Sequence, residues 1–394
     1  MTAVKLPFHA DHIGSLIRPA SLAAAQDQVD KGQLSQEELQ LVQRETIADI
    51  VRKQQLNGVK CISSGEFDRK YYFSGFFEKL GGFREVSPVP WDLARISAPP
   101  VAALKKVGKQ YPMAAVCDGN ITYDESPYLG NWTMLRDSVP KDQWTDCKFT
   151  MPPPCYFHLR LAPGKCYSSA AYENDDVFFD DLSKAYRKEV QTLYDAGLRN
   201  LQIDDPTLAY FCSDAMIESL KNDGIDPEAL FSQYIKAHND CIAGKPADMH
   251  VGLHICRGNF AKSMHFSEGS YERIAERFFT TLNYDTFLLE YDNERSGGFE
   301  PLRFLPKGKN VVLGVVTTKE PELEDSELLK AKIREAAGII AAGQGCSVEE
   351  AMQSIGISPQ CGFASVAVGA DGMTEEKMFA KLALVRDVAK ELWP

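Results

Sequence analysis

The stretch "DMHVGLHICRGNF", residues 248–260, is the one on which the fold turns. Val251, Leu253 and Ile255 alternate in it with His250, Gly252, His254 and Cys256. Alternation of period two marks a β-strand, whose residues i, i+2 and i+4 share one face. An imidazole and a thiolate two residues apart on a stiff strand can converge on one point, and zinc takes ligands of these two kinds.

Working outward, similar short runs recur along the chain. Strands are expected at 9–15, 59–67, 111–123, 147–151, 200–206, 250–256, 286–292, 310–317 and 357–362. Helical patterns lie between them. Ser35 to Glu38 reads as a capping box opening a helix that runs to about Gln55, and further helices are expected at 181–196, 227–243, 270–282, 324–342 and 375–391. Alternating β and α elements predict parallel strands covered by helices, as a barrel or an open sheet. Nine strands are one more than an eight-stranded barrel needs, so the surplus is assigned to a β-hairpin insertion near residues 95–123. In the barrel reading the chain is a single α/β domain, residues 1–394, and its chemistry sits at the C-terminal ends of the strands. Ser15, Glu66, Asp68, Asp204, Asp205, His254, Cys256, Glu290 and Cys361 all fall at such ends.

Composition narrows the function. The net charge is −12. Nucleic acid and anionic membrane surfaces repel such a protein, so neither is expected as a partner. No apolar run is long enough to span a bilayer, and the first residues carry no secretory signal. The ten cysteines are scattered, with no CxxC pair, as in a cytoplasmic protein that keeps its thiols reduced. No GxGxxG or Walker pattern follows a strand, so no nucleotide cofactor is expected.

Several residues carry chemistry by type and position. His254 and Cys256 offer two metal ligands from one strand end, and Glu290 and Cys361 end later strands. Together they form a plausible zinc set, against the plainer alternative of buried thiols and a solvated glutamate. In "LQIDDP" (201–206), adjacent carboxylates after an apolar strand are costly to bury unless they are paired or functional. Asp205 before Pro206 reads rather as a turn, whereas Asp204 is balanced between turn and function. The "HIGS" segment (12–15) offers amides and a hydroxyl that can hold an anion. The aromatic run Tyr71 to Phe77 reads as core, and so does His250.

Taken in order, "HIGS", "SSGEFDRKYYF", "KFTMPPP", "LQIDDP", "LHIC", "LLEYDNERSGGFEPL", "LGVVTTKEPELE" and "ISPQCGF" resemble the C-terminal catalytic half of cobalamin-independent methionine synthase, especially its short stand-alone homologues. The resemblance spans about residues 9–363. It implies a (β/α)8 TIM barrel with a catalytic Zn2+ on His254, Cys256, Glu290 and Cys361. It also implies an amino-acid site at Ile13, Gly14 and Ser15 for the carboxylate, with Glu66 and Asp204 for the ammonium. The implied reaction is methyl or alkyl transfer to a small thiol such as homocysteine, with a methyl-folate as the family's donor. Two features depart from the family. Full-length enzymes carry an Asp-Val-His segment where this chain reads "VTTKEP" (316–321), so Lys319 stands in place of the proton donor. "TMPPPCYF" (150–157) replaces the folate-stacking tryptophan segment. Both leave room for another donor, for a carbon–sulfur lyase reaction, or for a thiol-binding barrel without turnover.

Overall fold

The computed structural model describes residues 5–106, 108–258, 267–364 and 372–394, so residues 259 and 260 of the stretch quoted above lie outside it. Its centre is a six-stranded parallel sheet in sequential order. Numbering strands along the chain, β1 is Gly81–Val86 and β2 is Ala114–Thr122. The sheet contains β3 (Lys148–Met151), β4 (Asn200–Asp205), β5 (His250–Ile255), β6 (Thr286–Glu290), β7 (Asn310–Val316) and β8 (Ile355–Pro359).

Parallel bridges extend both edges of this sheet. Ala10 pairs with Ile357 of β8, and Ile62 pairs with Cys147 beside β3. The expected strands 9–15 and 59–67 are therefore reduced to short staves. The physical reason is backbone conformation: Gly14, Gly65 and Glu66 take φ of 146°, 66° and 61°, which turn the chain out of extended geometry. Leu16 still donates its amide to the Gly65 carbonyl at 3.1 Å, joining the two staves beyond their strand-like parts.

The expected insertion is corrected in its boundaries. β2 does form an antiparallel ribbon, but its partner is β1 (81–86), and the segment between holds helix α3, Pro99–Lys106, so 95–110 is not a hairpin arm. β1 carries no fully buried residue, so it lacks the apolar alternation that announces a strand. A register irregularity falls between Gly81 and Phe83. At Gly82 (φ 87°) an added Cβ would lie 2.5 Å from the Asn120 carbonyl oxygen, so only glycine fits.

Helices cover the sheet in the alternating manner expected. The helix expected from Ser35 is Gln36–Leu56. Ser35 accepts from the Glu38 amide at 3.2 Å, and Glu38 accepts from the Ser35 amide at 2.9 Å. The helix expected at 181–196 begins earlier, at Asp175, because Asn174 caps it by accepting from the Val177 amide.

One face of the sheet is polar although it is buried. Thr150, Gln202, Gly252 and Thr286 stand in one register row, with Lys148, Asn200 and His250 in the row before. Buried polar groups need partners, and Lys148, Gln202 and His250 each have one, although the Gln202 Oε1 has none among the described residues. Lys148 pairs with Asp11 at 2.7 Å, the Gln202 amide nitrogen donates to the Ile13 carbonyl at 2.6 Å, and His250 meets the Thr286 hydroxyl at 2.7 Å. His250 is thus a satisfied interior residue. Among the described residues, no helix is long and apolar enough to cross a membrane.

Candidate metal centre and adjoining cavity

β5 and β6 end side by side, with His254 opposite Leu288. The segment after β8 brings Cys361 to the same place. Ligand atoms of His254, Cys256, Glu290 and Cys361 all lie within 4.8 Å of one another. The two sulfurs are 3.5 Å apart. His254 is buried, and its Nδ1 sits 3.2 Å from the Leu288 carbonyl oxygen. A carbonyl can only accept, so Nδ1 carries the proton and Nε2 keeps its lone pair. That Nε2 is buried without a hydrogen-bond partner.

Burial and mutual contact set the electrostatics of this cluster. The hydrogen bond with Cys361, together with burial, raises the Cys256 thiol well above its ordinary range. For His254, burial favours the neutral ring, but contact with Cys256 and the nearby carboxylates outweigh it and raise the value. Two thiols, an imidazole and a carboxylate crowded in a dry site match the softness and coordination number of Zn2+. Glu290 has its own holders: its Oε1 accepts from the Arg257 amide at 2.9 Å and its Oε2 from Arg295 at 3.0 Å.

A cavity of about 100 Å3 opens beside these residues. Ile13, Ser15, Glu66 and Asp204 line it, as do His254, Cys256 and Cys361. Gly14 lies behind that wall: an added Cβ would meet Thr150 Cγ2 at 2.9 Å and Glu66 Oε1 at 3.3 Å. Glu66 accepts from the Thr150 hydroxyl at 3.2 Å through Oε1, while its Oε2 is buried and unpartnered. Burial raises Glu66 above the usual carboxylate range, against Arg69 and Arg18. Burial likewise pushes Asp204 up to about 7, against His254 and assisted by Glu66. A positive charge placed beside such buried carboxyls would favour their ionised forms.

Other expected residues fall elsewhere. Asp205 serves a turn: its Oδ1 accepts from the Thr207 hydroxyl at 2.5 Å, and His238 lies 2.8 Å from its Oδ2. Asp68 pairs with Arg69 and accepts from Ser64 and Asn131. Lys319 is buried, with its Nζ donating to the Gly258 carbonyl at 3.3 Å. Gly258 lines the cavity, and Lys319 is not among the lining residues.

The aromatic run divides. Phe73, Phe76 and Phe77 are core as expected, Phe73 also lining the cavity, whereas Tyr71 and Tyr72 are only partly buried and line the cavity, contrary to the expectation that the whole run packs inside. Sequence reading also missed Tyr111, Tyr156, Arg160 and Tyr210, which complete the wall. Tyr156 and Arg160 lie on α5, Tyr156–Arg160, directly after the "TMPPP" run. Five residues are too few to show a helical period, so the available signal was only their place after a strand end.

Comparison with known proteins agrees with this geometry. The family model described as "Cobalamin-independent synthase, Catalytic domain" matches residues 8–143 and 170–391. YxjH of Bacillus subtilis (strain 168), an uncharacterized protein, is 34% identical over 390 residues, covering 99% of this chain and 96% of its own. Among solved structures, a putative vitamin-B12 independent methionine synthase from Listeria monocytogenes has 30% identity and a TM-score of 0.74, with 99% of each chain covered. A B12-independent methionine synthase from Shewanella sp. W3-18-1, in complex with selenomethionine, shares the fold with a TM-score of 0.66 and 20% identity, covering 98% of each chain.

Proposed function

We propose a function from one premise: this chain belongs to the family of cobalamin-independent synthase catalytic domains. Our reading is a zinc-dependent transfer of a methyl or other alkyl group to a small thiol such as homocysteine. The observation that carries it is the convergence of His254, Cys256, Glu290 and Cys361 within 4.8 Å, with a bare, buried imidazole nitrogen among them. In this reading those four residues hold Zn2+. Bound there, the ion would supply an acidifying ligand site that keeps an incoming thiol deprotonated near neutral pH, where a free thiol is mostly protonated.

The chain's own residues then bind and orient. The acceptor's carboxylate meets Ile13, Gly14 and Ser15, and its ammonium meets Glu66 and Asp204. The raised carboxyls support this, because an arriving ammonium would offset the burial that disfavours their charged forms and that the nearby cationic groups leave uncompensated. Tyr72 and Phe73 wall the cavity with apolar surface and exclude water from the reacting sulfur. Lys319, held at Gly258, takes the place of the family's proton donor. The partners are therefore a small thiol and a small alkyl donor, of which a methyl-folate is one, and neither nucleic acid nor a membrane. We read the sheet as closing into a single-domain (β/α)8 barrel. The bridges at both edges and the bond from Leu16 to Gly65 support that closure. Ten free cysteines fit a reducing cytoplasm.

The test is metal analysis followed by turnover. Purified protein should carry about one zinc per chain, and His254→Ala or Cys256→Ser should lose it. Zinc-loaded protein given homocysteine and methyltetrahydrofolate should form methionine. If no zinc is bound and both variants match the parent, the reading fails. If zinc is bound but no thiol is consumed with any alkyl donor, transfer fails while the metal site stands.

A further inference from the structure

Arg160 is a buried charge that forms no ion pair with a carboxylate among the described residues. It ends α5, is 5% exposed and lines the cavity that holds the Cys256 and Cys361 side chains. Its Nη1 donates to the Tyr156 carbonyl at 3.3 Å and its Nη2 to the Tyr210 hydroxyl at 3.4 Å, both long. Its Nε is buried with no partner. The guanidinium carbon lies 3.8 Å from the centre of the Tyr156 ring, with the Tyr210 and Tyr111 rings farther off at 5.7 and 5.9 Å.

This arrangement is incomplete by its own physics. Removing a cation from water costs several kcal/mol, and contact with aromatic rings recovers only part of that, about 2 kcal/mol in a dry site. A guanidinium has five N–H donors in a planar fork that matches a carboxylate. Here the Nε has no acceptor among the described residues, and the Nη1 and Nη2 bonds are both long. Three other buried arginines have carboxylate partners, Arg69 with Asp68, Arg95 with Asp223 and Arg295 with Glu290, whereas Arg257, like Arg160, is held against a tyrosine ring, that of Tyr271 at 4.3 Å. Arg160 differs in lining a cavity. Tyr72, Tyr210, Arg160 and Cys256 all line this one cavity.

We propose that Arg160 forms an anion subsite that receives a carboxylate of the alkyl donor, whose flat or apolar body lies against Tyr72, Tyr111 and Tyr210. The assignment to the donor rests on the reading above, in which the acceptor's own carboxylate is taken at Ile13–Ser15. The donor class is then a compact carboxylate-bearing molecule, and Arg160 is a specificity-determining residue for it.

Benzoate and benzamide, nearly the same shape and differing in charge, serve as probes. Calorimetry on the zinc-loaded protein with saturating homocysteine keeps the acceptor end occupied. Benzoate should bind about tenfold tighter than benzamide, the size of one charge-assisted pairing. Arg160→Gln should abolish that preference, and Arg160→Lys should retain part of it. Equal binding of the two probes to the parent, no benzoate binding at any attainable concentration, or a preference that survives in Arg160→Gln each overturns the subsite. The parent comparison holds even if a variant fails to fold. A clear benzoate preference in protein that binds no homocysteine would instead sink the thiol-transfer reading and leave the anion subsite standing.

Discussion

Oε2 of Glu290 lies 3.0 Å from Nη2 of Arg295, so this carboxylate has a cationic partner of its own within the protein. His254 Nε2, by contrast, is buried with none. The four candidate ligands are therefore unequal. Glu290 has a cationic partner whether or not an ion is bound, whereas the Nε2 of His254 has no partner among the described residues.

The first prediction follows from that inequality. Glu290→Gln should keep bound zinc with a modest loss of affinity, while Cys256→Ser or Cys361→Ser should cost well over 100-fold, because a thiolate contributes more than an exchangeable carboxylate. Competition with a chromogenic chelator measures this. Equal losses in all three variants would refute it.

Gly14→Ala should damage the acceptor end of the cavity. The residue sits at φ 146°, and a methyl group would press on Thr150 at 2.9 Å and Glu66 at 3.3 Å. A strained backbone of this kind costs about 1–3 kcal/mol. The expected result is a lower urea midpoint and weaker homocysteine binding, with zinc content unchanged.

Asp11 and Lys148 form an ion pair whose side chains are 8% and 5% exposed. Lys148 and neighbouring donors outweigh burial and hold the Asp11 carboxyl below its usual range. Asp11→Asn leaves a buried ammonium unpaired and should destabilise the fold by about 3–5 kcal/mol. Adding Lys148→Met should recover part of that loss, which urea unfolding of the single and double variants would measure.

His12 provides a pH test. Burial, with Lys148 nearby, lowers its pKa to about 4, and its Nε2 donates to the Cys61 carbonyl at 2.7 Å. The folded value lies below the unfolded value of 6.5, so unfolding takes up a proton between them. The stabilising contribution is complete above 6.5 and is lost as pH falls toward 4. At pH 5 about 2 kcal/mol should be gone relative to pH 7. The stability difference between the parent and His12→Asn should narrow by that amount over the same interval. A difference that stays constant with pH would contradict the assignment.

The parts of this structure legible in the sequence are those where hydrophobic period and chemical type agree. β4 to β8 each read as an apolar run ending in a polar residue, and the same strand ends placed His254, Cys256 and Glu290 near one another. The reading failed where either signal was missing. Residues 9–15 and 59–67 look extended, yet Gly14, Gly65 and Glu66 turn them aside through left-handed backbone that no periodicity reveals. β1 was invisible because its "GGFREV" buries nothing fully. Arg160 and Tyr156 escaped because partnership across a cavity is a property of three-dimensional neighbours, not of spacing along the chain.

The ribbon of β1 and β2 sits apart from the parallel sheet in pairing, yet the chain joining its two strands delivers Leu104, Tyr111 and Pro112 to the cavity wall. The candidate metal ligands His254, Cys256, Glu290 and Cys361 come from other pieces of chain altogether. Two separate stretches of chain thus meet over one void. A substitution in the joining segment would reshape one wall while leaving the four-residue cluster on its strand ends, so the two sides can change one at a time.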